Sequence, residues 1–451
     1  MLELINSVLS GMLVPLFICA VGIFYAVKLR FFHLTKPLSI IRGLKSENSN
    51  SGVSSAAAVG LALAGTLGVG NIVGVSSAIY LGGFGAVFWI WLSALLSMIL
   101  KYAEIVIAMR HRRTDKSGIF LGNAMLYIKD ILYSRGLNRL GSALAAVFAV
   151  GFVLCSLTMG SMLQANAVSE ALSGVCDIPI IATGVALAIL SLLVGSRGTS
   201  GIIKVTNFLV PIMSVGYAII SVIVIFLNIH KIGDAFYLIF KGAFDFRCVI
   251  GGVCGYTFTQ AIRYGVMRGL VSNEAGCGTA PTAHAIAECK SPARQGTWGI
   301  FEVFVDTIIL CTMTALCVIL EYDAASRYGG SYMMMTVSAY SEKLGVFAEY
   351  FLCAAVACFG FATIICWLHY GMTAVGYLAG NRSYKSTFIF LYALCVFIGS
   401  CISSDISWQL ADLSMGIMTV INLTVIAFAW REVRYETLIF LGMTKRKRQY
   451  K

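Results

Sequence analysis

Charged residues are scarce in this chain. Asp, Glu, Lys and Arg make up 12% of its 451 residues, against about 25% in a typical soluble domain. Hydrophobic residues make up 59% of the chain, and its mean hydropathy is +0.85. This balance excludes an ordinary soluble domain, and we expect an all-α protein that crosses a lipid bilayer many times.

The sequence also lacks the motifs of several enzyme classes. No Ser/His/Asp set or Cys/His cluster is visible, and the segment from Asn273 to Gly278 lacks the G-K-[ST] that completes a phosphate-binding loop. The 14 cysteines form no C-x-x-C pair, and most lie in apolar runs, where cysteine behaves as a small hydrophobe. We therefore predict no enzymatic activity, no cofactor and no ATP-driven transport.

The basic residues are not gathered into one patch. The net charge is +12, but the Lys and Arg residues fall in short loops between apolar runs. A nucleic-acid-binding protein concentrates them on one folded face, so we expect no nucleic-acid partner.

Apolar runs long enough to cross about 30 Å of hydrocarbon recur along the chain. They lie at 10–28, 54–80, 84–109, 140–172, 179–195, 203–228, 248–283, 298–320, 345–378, 386–402 and 408–430. They predict about eleven transmembrane helices. The first run lacks a basic leader and a small-residue cleavage site, so we interpret it as a retained helix.

The loop charges predict an orientation. With the N-terminus outside, the inner loops hold about 25 of the 33 Lys and Arg residues. We therefore expect a multi-pass protein of the cell membrane with an external N-terminus and a cytoplasmic C-terminus. The basic tail at 445–448 is interpreted as a topology anchor, with a lipid headgroup contact as the alternative.

The segment from Gly65 to Gly74 (GTLGVGNIVG) places four glycines inside an apolar run. Glycine lets the backbone leave the helix and lets another group approach closely. Unpaired backbone groups at membrane depth are tolerated only where protein buries them or where they line a cavity. We therefore predict a broken helix with a binding site at half depth.

A second glycine-rich interruption, from Arg268 to Thr279 (RGLVSNEAGCGT), opens the second half of the chain. Paired interruptions are typical of inverted-repeat transporters. We predict an extra N-terminal helix with a basic loop (1–52), two five-helix repeats (53–228 and 229–430) and a basic tail (431–451). The alternative is two unrelated helix-packing patches, although packing does not require the carboxylate of Glu274.

These segments resemble a known family, the alanine or glycine:cation symporters, also called sodium:alanine symporters. The longest similar blocks run from Gly68 to Glu104 and from Arg268 to His284. Shorter ones are Gly160–Asn166, Gln295–Gly296, Asp306–Thr307 with Cys311–Thr314, and Thr363–Gly371. The resemblance implies a leucine-transporter-like fold with broken first and sixth core helices. It also implies sodium-driven uptake of alanine and glycine.

The resemblance also implies a set of site residues. The expected substrate contacts are Gly70, Asn71, Gln164, Ser272, Asn273, Gly276 and Trp367. The expected Na⁺ ligands are carbonyls near Ala64, Leu67 and Phe359, with the hydroxyl of Thr363. Alternatives remain for three side chains: helix capping for Asn71, an interhelical hydrogen bond for Gln164, and core packing for Trp367.

The chain departs from the family pattern near these positions. Val69 stands where Thr is usual, and Ala362 stands where a hydroxyl is common. Both departures leave the substrate and the ion stoichiometry open. The oligomeric state is open as well.

Intramembrane charges indicate function by default. For Glu274 we expect a pairing with Arg263 or Arg268, and for Lys101 with Glu104 a local pair on one helix face or a strut of a gate. His284 and His369 are expected to have satisfied structural roles.

Three alternative functions remain beside the sodium symporter. A proton-coupled symporter would use Glu274 and Asp306. An amino-acid-gated channel or sensor would want a polar lumen or a soluble domain. A lipid-modifying enzyme would want an acid- or His-rich cluster at a membrane face.

Overall fold

The computed structural model describes residues 2–45, 53–114, 120–244, 253–380 and 383–444, and within these ranges it is almost entirely helical. The helices of the first half are α1 (Leu2–Val8), α2 (Val14–Lys28), α3 (Phe32–Thr35), α4 (Pro37–Gly43), α5 (Ser55–Thr66), α6 (Val73–Gly82), α7 (Ala86–His111), α8 (Ala124–Tyr133), α9 (Asn138–Leu157), α10 (Leu163–Cys176), α11 (Ile180–Ser196) and α12 (Gly198–Leu227). Those of the second half are α13 (Ile232–Ala243), α14 (Val253–Asn273), α15 (Ala280–His284), α16 (Pro292–Val303), α17 (Thr312–Leu320), α18 (Tyr322–Ala325), α19 (Tyr332–Leu344), α20 (Val346–Ala379), α21 (Ser383–Cys401), α22 (Ser404–Phe428) and α23 (Trp430–Phe440).

Shorter elements connect these helices. The π-helical segments Leu9–Leu13, Thr158–Met162 and Phe304–Cys311 join α1 to α2, α9 to α10 and α16 to α17. The 3₁₀ turns are Val69–Asn71, Ile229–Lys231 and Ser326–Tyr328. Two strands, β1 (Arg113–Thr114) and β2 (Phe120–Leu121), pair antiparallel.

By length and composition, eight helical stretches of the described chain could cross a membrane. They are Leu4–Lys28, Ala86–His111, Asn138–Cys176, Gly198–Leu227, Pro292–Leu320, Val346–Ala379, Tyr384–Cys401 and Ser404–Phe428. Three shorter apolar helices accompany them: α5, α6 and α11. The multi-pass, all-helical class is confirmed, whereas the count of eleven and the two repeats stay predictions.

The outer surface of α12 shows how such a helix meets lipid. Phe208, Ile212, Val215, Ile219 and Phe226 recur at helical spacing and are each more than half exposed. Its opposite face, which includes Val210 and Tyr217, is buried against α5 and α20. An exposed apolar stripe of this length is unfavourable in water and is expected on a helix that faces hydrocarbon.

Both predicted interruptions are present. The first separates α5, which ends at Thr66, from α6, which begins at Val73. The second separates α14, which ends at Asn273, from α15, which begins at Ala280. Buried α7 packs against α14 and α16 beside the second break.

Several helices lie in segments that the hydropathy pattern predicted as loops. The longest of them are α8, α13, α19 and α23. Helix α8 buries Met125, Ile128 and Ile131 while Lys129 and Asp130 are less buried. A search for long apolar runs misses such helices because only one of their faces is apolar.

Candidate substrate and ion site

The two helix breaks lie against each other in the protein interior. A Cβ atom added to Gly70 would lie 3.2 Å from Cγ1 of Val271 and 3.6 Å from the backbone N of Ser272. Gly70, Val271 and Ser272 are all buried. A side chain at position 70 would therefore press on the second break, which glycine allows to approach closely.

Asp306 ties the two breaks together. The amide of Asn71 donates to Oδ1 of Asp306 and, at 3.2 Å, to its backbone carbonyl. The Ser272 hydroxyl donates to Oδ2 of Asp306 at 2.9 Å. The carboxylate, at 0% exposure, thus bonds to a side chain from each break. Thr307, beside it, also lies within 3.1 Å of Oδ2.

Two polar groups at this junction remain without a partner within the described residues. The amide oxygen Oδ1 of Asn71 is buried and accepts no hydrogen bond. The N–H of Gly70 has no acceptor, whereas the N–H groups of Gly68, Val69 and Asn71 do. An unsatisfied buried polar group is costly. A free donor and a free acceptor at one junction therefore suit a small ligand that carries both a hydrogen-bond acceptor and a hydrogen-bond donor.

Gln164 makes the interhelical bond that was the alternative to substrate contact. Its Oε1 accepts from the N–H of Val69 at 3.0 Å, and its Nε2 donates to the carbonyl of Met159 at 3.2 Å. The side chain therefore anchors α10 to the first break. A Cβ at Gly68 would lie 2.8 Å from both Oε1 of Gln164 and Oγ1 of Thr363.

Two of the predicted ion ligands, Thr363 and Ala64, meet beside the first break. The Thr363 hydroxyl donates to the carbonyl of Ala64 at 2.9 Å. Leu67 follows the last residue of α5, and Phe359 lies one turn before Thr363 on α20. Ala362 is fully buried and supplies no hydroxyl. The neutral oxygens brought together here are the ligand type that a hard cation takes.

The carbonyls of the second break are engaged by neighbouring helices. Asn273 accepts from the ammonium of Lys101 at 2.7 Å, and Gly276, at φ +88°, accepts from the amide of Asn422 at 2.8 Å. The N–H of Gly278 donates to Oε1 of Glu104 at 2.9 Å. These carbonyls were expected to face the substrate, but here side chains from α7 and α22 hold them.

The predicted partner of Glu274 was wrong. Oε1 of Glu274 accepts from the indole N–H of Trp367 at 3.1 Å. Arg268 instead pairs with Asp412 at 2.8 Å and lies 3.9 Å over the ring of Trp408. Trp367 is fully buried, so it is at least a packed residue that anchors the second break.

The predicted local pair of Lys101 with Glu104 was also wrong. Lys101 bonds to Glu302 at 2.6 Å, with both side chains almost wholly buried. Glu302 further accepts from Thr66 at 3.2 Å and lies 3.1 Å from Nε2 of His284. Thr66 and Asn273, the last residues of α5 and α14, are therefore bridged through Lys101 and Glu302.

His284 has the satisfied structural role expected of it, whereas the buried Nε2 of His369 has no hydrogen-bond partner within the described residues. His284 lies between Glu302 and Gln295, whose Nε2 is 3.1 Å from Nδ1 of the imidazole. His369 lies 3.3 Å from the hydroxyl of Thr199 through Nδ1.

Sequence reasoning overlooked Glu302 and did not count Asp306 among the substrate contacts. A signal was available, because the two acids are four residues apart in an apolar segment and so lie on one helix face.

Comparison with known proteins supports the resemblance. The model of the sodium:alanine symporter family matches residues 1–450. An uncharacterized transporter of Haemophilus influenzae is 35% identical over 94% of this chain and 91% of its own. The sodium/alanine symporter AgcS of Methanococcus maripaludis is 32% identical over 98% of this chain and 97% of its own.

The fold is shared with solved transporter structures. The structure of MhsT in complex with L-phenylalanine superposes with a TM-score of 0.55. The match covers 89% of this chain and all of that chain. At 11% sequence identity, it shows a shared fold and nothing about the substrate.

Proposed function

The chain belongs to the sodium:alanine symporter family, and we propose that it imports small neutral amino acids, alanine and glycine, together with Na⁺ by alternating access. The observation that carries this proposal is the free Gly70 N–H beside the free Asn71 Oδ1 where the two breaks meet. A zwitterion needs a donor for its carboxylate and an acceptor for its ammonium. The family supplies the reaction class, a secondary transporter and not an enzyme.

In this proposal the substrate carboxylate binds the Gly70 N–H, where the half-helix α6 directs its positive end. The ammonium binds Oδ1 of Asn71. Asp306 orients the Asn71 amide by accepting from its nitrogen, which leaves the oxygen free. Ser272 keeps the opposite carboxylate oxygen fixed.

The Na⁺ ion binds the carbonyls of Ala64, Leu67 and Phe359 and the hydroxyl of Thr363. The site is adjacent to the first break, so ion and substrate stabilise the same conformation of α5 and α6. Positive linkage between two ligands of one conformation is then expected.

Ala362 makes this site poorer by one hydroxyl. We expect Ala362→Ser to lower the Na⁺ concentration for half-maximal uptake and Thr363→Ala to raise it steeply. Alanine uptake into proteoliposomes is measured against Na⁺ at fixed pH and membrane potential. Thr363→Ser, which keeps the hydroxyl, serves as the control. Its Na⁺ concentration for half-maximal uptake should stay close to that of the unchanged chain.

A proton-coupled symporter is the second candidate. It is favoured by the Asp306 carboxylate, whose hydrogen-bonding partners Asn71, Ser272 and Thr307 are all neutral. Uptake that ignores Na⁺ but follows an imposed pH gradient, and that Asp306→Asn abolishes, would replace sodium by proton coupling.

We further propose the five-plus-five inverted repeat in eleven membrane-spanning helices, with the N-terminus outside. Cysteine-accessibility labelling at position 3 and in the tail at 445–448 checks the orientation. The proposal requires labelling of the first from the external side only and of the second from the cytoplasmic side only.

A further inference from the structure

A basic cavity of about 260 Å³ lies where the end of α2 and the turn after it meet α23. Four cationic side chains line it: Lys28, Arg30, Lys36 and Arg434. Its other lining residues are Leu, Phe, Thr and Met, with no acid among them. We call this space the basic cavity.

The nearby carboxylates are already bound to other cations. On α23, Glu432 pairs with Arg110 and lies 3.2 Å from His111, and Glu436 pairs with Arg110. In the part of the chain that the structure describes, none of the four cavity cations has a carboxylate partner. Like charges grouped without a counter-charge repel one another, so the cavity as built favours an anion.

The backbone at the cavity is held in an uncommon conformation. Arg30 and Phe31, at φ 55° and 52°, are consecutive non-glycine residues in the left-handed region. The Phe31 N–H closes this turn on the carbonyl of Ala26 at 2.7 Å. Such conformations cost roughly 1–3 kcal/mol per residue and cluster at ligand sites. Here the turn brings Arg30 to the cavity rather than letting α2 continue.

Apolar side chains flank the cavity on the same segment. Leu34, Leu38 and Ile41 on α3 and α4 are 51%, 69% and 61% exposed. The ammonium of Lys28 lies 4.8 Å from the ring of Trp430, an aromatic residue typical of the membrane interface. Cations beside exposed apolar side chains are the arrangement expected of a site that meets both the headgroup and the acyl chains of a lipid.

We propose that the basic cavity binds the phosphate of an anionic phospholipid, whose acyl chains cover Leu34, Leu38 and Ile41. The shared chemistry is a phosphate oxygen group recognised by Lys and Arg. The flanking apolar surface favours a lipid over a free phosphate ion. This proposal is independent of the transported substrate and of the coupling ion.

The test uses the full chain in bilayers of phosphatidylcholine with and without phosphatidylglycerol. After mild detergent extraction, mass spectrometry measures the ratio of the two retained lipids. The variant Arg30→Gln with Arg434→Gln removes two cavity charges. The matched control, Arg139→Gln with Arg197→Gln, removes two exposed basic charges away from the cavity, one at the start of α9 and one between α11 and α12.

We expect the unchanged chain and the control to retain phosphatidylglycerol preferentially. The cavity variant should bind it about thirtyfold more weakly, because each Lys or Arg near an anionic lipid contributes about 1 kcal/mol. Equal retention by the two double variants would overturn the proposal. If glycerol phosphate at low concentration displaces the retained phosphatidylglycerol, the occupant is a free phosphate and the lipid assignment fails.

A measurement on the unchanged chain guards against a variant that does not fold. Phosphatidylglycerol with brominated acyl chains should quench Trp430 more than brominated phosphatidylcholine does, and Trp430→Phe identifies the share of that one indole. Equal quenching by both lipids would also refute the proposal.

Discussion

The buried ion pair between Lys101 and Glu302 gives the sharpest stability prediction. Lys101→Met removes the 2.6 Å bond to Glu302 and the 2.7 Å bond to the carbonyl of Asn273. It leaves a fully buried carboxylate whose remaining partners are Thr66 and His284. Breaking a buried pair from one side costs about 3–5 kcal/mol, and we expect a loss of that size in the free energy of unfolding.

The assay is equilibrium unfolding by SDS titration in mixed micelles, followed by tryptophan fluorescence. Lys101→Met with Glu302→Gln removes the orphaned charge and should recover much of the lost stability. The control is Lys343→Met, whose pair with Glu321 is 3.3 Å long and one-third exposed on the lysine side, so it should lose at most about 1 kcal/mol. If Lys101→Met loses no more than this control, the pair does not hold the two breaks.

Three further substitutions test the substrate site. Gly70→Leu should abolish alanine uptake while leaving membrane insertion intact, because its side chain would strike Val271. The control is Gly233→Leu, at a glycine where an added Cβ has no neighbour within 4 Å, and it should transport normally. Gln164→Ala should weaken apparent substrate affinity by about 1–2 kcal/mol by releasing the Val69 N–H; lower thermal stability at unchanged affinity would make Gln164 purely structural. Trp367→Ala should let leucine and methionine compete with the substrate alanine, whereas Trp367→Phe should still exclude them. If Trp367→Ala also excludes them, the indole is a core residue only.

The features that the sequence predicted well depend on neighbours in the chain. Hydropathy over a long window locates most membrane spans. The glycine clusters at Gly65–Gly74 and Arg268–Thr279 locate both breaks, because glycine weakens a helix wherever it lies. Thr363 and Ala64 came from family resemblance, and the structure brings them within 2.9 Å.

The features that the sequence did not predict depend on partners far along the chain. Lys101 and Glu104 have the spacing of a local helix pair, yet Lys101 bonds to Glu302 and Glu104 accepts from Gly278. The two are buried, and each bonds to a partner that is distant in the chain, Glu302 on α16 for Lys101 and Gly278 at the second break for Glu104. Sequence spacing shows which residues can pair within one helix. It does not show which residues of other helices come close, because those contacts form only when the helices pack.

The polar groups freed by the two breaks support the proposed site, because most of those named here already have partners. Side chains from neighbouring segments satisfy the Val69 N–H, the Asn273 and Gly276 carbonyls and the Gly278 N–H. Buried backbone groups require such partners, so each of these contacts supports the fold whatever the protein binds. The Gly70 N–H and the Asn71 amide oxygen have no such partner within the described residues. These are the donor and the acceptor to which our proposal assigns the carboxylate and the ammonium of the substrate, because every other contact named here is already made without a ligand.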